Sequence, residues 1–261
     1  MNNIPSKKIK VGGLDVNYYT AGQGEPLVVI HGGGGDARTW SHNIEALSEK
    51  YTVYAPDLPG YGASQPLDGD YFIPELARFV DSFSDSLGLE RFHLVGHSLG
   101  GGVALNYALE FPHKIRKLVL VSSLCLGREI ALWVRLLSVP ALIRSLGALT
   151  VAVLKSVKWL VKMFMEQVEY IMPLSPASMI IGGSVTTIKE QTLVLANRLS
   201  EIMMPTLLVW GAKDPIVPVR HAYAAAQVIP DCQLKVFENR GHNVHRDELQ
   251  QFSSILSGFL G

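Results

Sequence analysis

The sequence predicts an α/β fold, a mostly parallel eight-stranded sheet with helices on both faces and a helical segment inserted into it. Three observations lead there. Short continuous apolar runs, such as residues 26–30 and 205–210, have the character of strands covered on both faces, and each runs into a glycine-marked turn. Helix-patterned stretches alternate with these runs, as the crossovers of a parallel sheet require. Between Leu124 and about Ile181 that alternation stops, and it resumes afterwards.

Taken in order, residues 9–19 alternate about Gly12 and Gly13, so the chain opens as an antiparallel hairpin. The first buried strand, 26–30, runs into His31-Gly32-Gly33-Gly34-Gly35, where four glycines let the backbone approach a ligand. A helix over 39–50, begun near Asp36, would place Trp40, Ile44 and Leu47 on one side. Strand 51–55 leads to a rigid loop, Pro56-Asp57-Leu58-Pro59-Gly60-Tyr61-Gly62, and an amphipathic helix over 74–87. Next come a strand from Phe92, a helix from Leu99 to Glu110 and a strand over 115–122.

The break in rhythm contains helix-like segments over 130–137, 142–154 and 157–170, separated by Pro140 and Ser156. Arg135, Pro140, Arg144, Lys155 and Lys158 interrupt its apolar stretches, so none reaches the roughly 18 residues of a membrane span. A helix near 187–199, strand 205–210, helix 219–228, strand 233–237 and a closing helix to Phe259 complete the chain. This gives a core of residues 1–124 and 187–261 with a helical cap over 125–186.

A chain of 261 residues that is 48% hydrophobic can bury a large core, and its net charge of +0 provides no field to recruit nucleic acid or an acidic membrane. The two cysteines, Cys125 and Cys232, lack metal-ligand spacing and read as packed, reduced thiols, which fits a cytoplasmic location. No apolar core follows Lys7 and Lys8, so the N-terminus does not read as a secretion signal. A small molecule is the expected partner.

The chemistry centres on Gly96-His97-Ser98-Leu99-Gly100. A serine between strand and helix sits in strained backbone, and glycines two residues to either side remove the collisions that side chains would cause there. The following helix aims its unpaired N–H groups at the same spot. A serine hydroxyl needs a base, and the base needs an orienting group. His242 stands in the glycine-marked loop after the last strand and Asp214 just beyond the strand ending at Trp210. Parallel strands present their C-terminal ends on one edge, so Ser98, Asp214 and His242 are expected to converge there.

In these features the chain resembles the α/β-hydrolase superfamily: the His31-Gly32-Gly33-Gly34 loop, the Asp57–Gly62 loop, the serine elbow, the Asp214 segment and the His242 loop follow in that order. The resemblance implies that Ser98 attacks a carbonyl, His242 takes and returns the proton, and Asp214 holds the imidazole. It further implies an oxyanion hole from the N–H groups of Gly33 and Leu99, an acyl-enzyme resolved by water, and no metal or organic cofactor.

Each assignment has a rival. Asp57 competes with Asp214, but its loop suggests a carboxylate that ties down turn N–H groups. His245, without a preceding glycine, is expected to cap or decorate the final helix. His31 and His97 are expected to shape loops, and His42, His93, His113 and His221 to pack or face solvent. Trp133, Trp159, Met163, Phe164, Met165 and Met172 read as core between cap and main domain. The insertion leans basic through Arg128, Arg135, Arg144, Lys155, Lys158 and Lys162, most simply a solvated helix face.

These readings favour a serine hydrolase of small to medium apolar carboxylic esters. Carbon–carbon bond hydrolases of vinylogous diketones, from aromatic degradation, share the glycine loop, cap and triad, although Asn243 stands where that group typically carries tryptophan. Dehalogenases and epoxide hydrolases would need aspartate in place of Ser98. A slow or non-catalytic receptor for a small hydrophobic signal is the alternative from another class.

Overall fold

The computed structural model describes residues 4–68, 71–136, 185–187 and 189–261. Eight strands form one sheet: β1 Ser6–Val11, β2 Leu14–Ala21, β3 Glu25–Ile30, β4 Tyr51–Pro56, β5 Phe92–His97, β6 Ile115–Val121, β7 Thr206–Gly211 and β8 Cys232–Phe237. Their spatial order is β1-β2-β4-β3-β5-β6-β7-β8. The opening hairpin and the β2–β4 pair are antiparallel, and the other neighbours run parallel.

The apolar runs become central strands because successive side chains feed two different cores. Val28 and Ile30 face one core while Leu27 and Val29 face the other, and the same division separates Leu118 and Leu120 from Val119 and Val121. On the first face lie α2 Ile73–Ser86 and α3 Leu99–Glu110, which contribute Leu76, Phe83, Val103 and Tyr107. The second face is covered by α1 Ser41–Leu47 and the C-terminal helix Leu249–Leu260 through Ile44, Leu47, Phe252 and Leu256. The helix expected over 39–50 is shorter than predicted and preceded by a 3-10 turn, Ala37–Trp40, because the Asp36 carboxylate accepts from the Arg38 N–H at 2.9 Å.

One predicted helix is not found among the described residues. Among the described residues from 187 to 199 the chain forms a bridge between Thr186 and Gln191 and then a 3-10 turn, Ala196–Glu201. Local side-chain bonds compete with the helix here: Thr187 Oγ1 accepts the N–H groups of Lys189 and Glu190 at 3.2 and 3.1 Å. Gln191 is drawn to the opposite chain, accepting the Cys125 N–H at 2.8 Å and donating to the Gly127 carbonyl at 2.8 Å.

That contact joins the chain leaving β6 to the chain returning to β7. Leu195 N–H donates to the Cys125 carbonyl at 2.8 Å and Gln191 N–H to the Arg128 carbonyl at 3.0 Å, so the outgoing and returning chains are stitched together there. Of the predicted insertion helices, α4 Leu132–Leu136 is described; the segments 142–154 and 157–170, with Trp159, Met163, Phe164, Met165 and Met172, lie outside the described residues, as does the Trp133 side chain. Among the described residues no helix is long and apolar enough to cross a membrane.

Candidate active site

Ser98 follows β5 directly and starts α3 in a left-handed conformation, φ 53° and ψ −114°. Such a geometry persists only where the surroundings enforce it. Here three backbone bonds do so: Ser98 N–H donates to the Val121 carbonyl at 2.9 Å, and the Ser98 carbonyl accepts from Gly102 at 3.1 Å and Leu124 at 3.0 Å. A side chain on Gly96 would collide with the Gly100 carbonyl, so the strand and helix of the elbow meet backbone to backbone.

The glycine loop after β3 lies beside the elbow. A β-carbon on Gly33 would be 3.7 Å from Leu99 Cβ, which puts the two expected oxyanion donors in adjacent positions. His31 organises the loop. Its Nε2 accepts the Leu58 N–H at 3.0 Å, so Nδ1 carries the proton and donates to the Gly32 carbonyl at 2.8 Å. With that carbonyl turned toward His31, the planar trans peptide directs the Gly33 N–H the opposite way. Burial keeps the His31 imidazole below its ordinary pKa.

Asp214 and His242 come from the loops after β7 and β8, which continue to bond beyond the sheet. Ala212 N–H donates to the Phe237 carbonyl and Lys213 N–H to the Arg240 carbonyl, both at 3.0 Å. Asp214 Oδ1 accepts the N–H groups of Ile216 and Val217 at 2.8 and 3.0 Å, leaving Oδ2 for His242 Nδ1 at 2.8 Å. The Asp214 side chain is fully buried and that of His242 is 9% exposed. The carboxylate therefore fixes which imidazole nitrogen holds the proton and leaves Nε2 free to act as a base.

The His242 ring centroid lies 4.8 Å from that of His97, the residue preceding Ser98. His97 Nε2 donates to the His242 carbonyl at 3.0 Å, joining the β5 elbow to the loop after β8.

Asp57 takes the role its loop suggested. Its carboxylate accepts from the N–H groups of Ala37 and Ala63 and from Asn17 Nδ2, at 2.9, 3.0 and 2.9 Å. His93 and His221 are buried and paired with Glu25 and Glu129 at 2.9 and 2.7 Å. His245 departs from expectation. It is fully buried, its ring 4.3 Å from His97 and 4.4 Å from Trp40, because the short helix Val244–Asp247 turns it beneath the site and not onto the final helix. Tyr61, which the sequence marks only as part of a turn, packs its ring against His31 at 5.0 Å, and its buried hydroxyl has no hydrogen-bond partner among the described residues. Its aromatic character inside a loop of turn formers was the available signal.

A family model described as alpha/beta hydrolase fold matches residues 25–169 and 154–249. The chain is 33% identical over 256 residues to the dihydrolipoyllysine-residue acetyltransferase component of the acetoin cleaving system of Cupriavidus necator, covering 96% of this chain and 68% of that protein. It is 29% identical over 267 residues to a 2-hydroxy-6-oxo-6-phenylhexa-2,4-dienoate hydrolase of Burkholderia cepacia, covering 94% of this chain and 91% of that one. Among solved structures, a thermophilic esterase from Thermogutta terrifontis superposes with a TM-score of 0.77 at 22% identity, covering 98% of each chain.

Proposed function

The chain belongs to the α/β-hydrolase fold family, and on that premise we propose that it is a serine hydrolase cleaving a small to medium, apolar carboxylic ester through an acyl-enzyme. One observation carries the reading: His242 is held by the buried Asp214 carboxylate at 2.8 Å and stands against the residue that adjoins the strained Ser98. Ser98 Oγ attacks the ester carbonyl carbon while His242 Nε2 takes its proton. The developing oxyanion is received by the N–H groups of Gly33 and Leu99. Collapse expels the alcohol, which leaves with the proton from His242. Water, deprotonated by the same imidazole, then releases the acid and restores Ser98.

Residues 125–186 serve in this reading as a helical cap. The stitched root at Cys125, Arg128, Gln191 and Leu195 supports that role, since it returns the chain to the sheet where it left.

The test is a burst of p-nitrophenol from short-chain p-nitrophenyl esters, equal in amplitude to the enzyme concentration. Ser98→Ala should abolish it. Retention of turnover in Ser98→Ala would refute the nucleophile assignment. The Burkholderia cepacia relative favours a second reading, carbon–carbon cleavage of a vinylogous diketone on the same triad. Parallel assay of esters and a 2-hydroxy-6-oxohexa-2,4-dienoate decides between them by the ratio of kcat/KM.

A further inference from the structure

We propose that His97 is a positioning residue for the general base, locking the His242 loop to the strand that carries the nucleophile. The inference rests on His242 acting as the base of the proposed hydrolase.

His97 ends β5, one residue before Ser98, and is 6% exposed. Its Nε2 lies 3.0 Å from the His242 carbonyl oxygen, which can only accept, so the proton of the neutral ring is on Nε2. The bare Nδ1 faces Gly32, where a β-carbon would approach to 2.8 Å. One hydrogen bond thus spans 145 residues of sequence and ties the backbone of the base to the end of β5. Asp214 holds the ring of the same histidine. His242 therefore has two anchors, one at its backbone carbonyl and one at ring Nδ1, which together define where Nε2 stands relative to Ser98.

The surroundings keep this anchor uncharged. The titratable and charged groups facing His97 are His242, His245 and Arg246; none is a carboxylate, and burial with those neighbours pushes its pKa well below the ordinary histidine value. A neutral anchor is also what the reaction requires, because His242 becomes cationic during acylation and a second cation with its ring centre 4.8 Å away would oppose it.

A residue that merely filled space could be replaced by phenylalanine, whereas an anchoring donor could be replaced by glutamine, whose amide N–H₂ reaches a similar distance. His97→Phe and His97→Gln are therefore compared on two readouts. The first is the solvent-exchange rate of the His242 Nδ1 proton in its bond to Asp214, followed by NMR of the intact protein. The second is kcat and KM for p-nitrophenyl butyrate. In His97→Phe the ring proton should exchange at least about tenfold faster, and kcat should fall about 10- to 100-fold with KM nearly unchanged, as expected of a misplaced base. His97→Gln should recover both to within about threefold of wild type.

Equal behaviour of His97→Phe and wild type, or a glutamine variant as impaired as the phenylalanine one, would overturn the proposal. Should His97→Phe fail to fold, His97→Asn replaces it, since its shorter amide cannot reach the carbonyl. A wild-type protein that hydrolyses no ester would remove the esterase reading, while the ring-proton comparison would still decide the role of His97.

Discussion

Gly100 rests on the main chain of His31: a β-carbon at Gly100 would stand 2.5 Å from the carbonyl oxygens of both Ile30 and His31. The helix that begins at the elbow is thereby seated against the strand leading into the glycine loop. Backbone cannot yield as a side-chain tip can. Gly100→Ala should cost about 1–3 kcal/mol through forced displacement, read as a lowered urea midpoint, and should impair activity in the protein that remains folded. Gly258 provides the control. It sits in the exposed part of the C-terminal helix with nothing within 4 Å of its would-be β-carbon, so Gly258→Ala should raise stability by about 0.5–1 kcal/mol.

The strain at Ser98 leads to a separation of stability from activity. With φ at 53° and ψ at −114°, any residue bearing a β-carbon stores about 1–3 kcal/mol there. Glycine releases the strain but loses more entropy on folding, about 0.5–1 kcal/mol. Ser98→Gly should therefore be inactive yet melt higher than Ser98→Ala, which keeps the β-carbon. Equal melting temperatures for the two variants would show that the elbow is not strained.

Two buried carboxylates should fail in different ways. Asp57 satisfies Ala37, Ala63 and Asn17, so Asp57→Ala orphans three donors and should cost at least about 2 kcal/mol in urea unfolding. Asp214→Asn retains an oxygen for Ile216 and Val217 but presents an amide to His242, favouring the wrong tautomer. Its melting temperature should change little, while kcat falls about 10³- to 10⁴-fold, by analogy with Ser-His-Asp enzymes.

The sheet was legible because burial on both faces leaves continuous apolar runs, and because glycine marks the strand ends where the chain must turn beside other backbone. The contact between Asp214 and His242 was legible for a related reason: a parallel sheet gathers its strand ends, so chain order predicts their proximity. What the sequence concealed depends on partners far along the chain. The stretch after Thr187 has adequate helix formers, but Gln191 is claimed by Cys125 and Gly127 across the root of the insertion. His245 was misplaced because its hydrophobic cage, made by Trp40, His97 and Phe252, comes from three other elements. No local pattern announces a histidine that must remain neutral.

That burial has a consequence for acid stability. Both ring nitrogens of His245 lack a hydrogen-bond partner among the described residues, and burial, reinforced by the charge of Arg246 and by His242, lowers its pKa to about 3 in the folded protein. The unfolded chain regains the ordinary value near 6.5. Between those limits the unfolded state binds a proton that the native state refuses, so stability falls as pH drops from about 6.5 toward 3 and has no slope from this group above about 6.5. The loss approaches about 1.4 kcal/mol per pH unit for one such imidazole. His31 and His97, whose pKa values are also lowered by burial, add in the same direction. His245→Leu removes one of these protons from the balance while keeping an apolar side chain in the cage. Urea midpoints measured from pH 7 down to pH 4.5 should decline less steeply for His245→Leu than for wild type, by close to one proton's worth. Parallel declines would mean that the native protein admits the proton at His245, and that its cage is open to water.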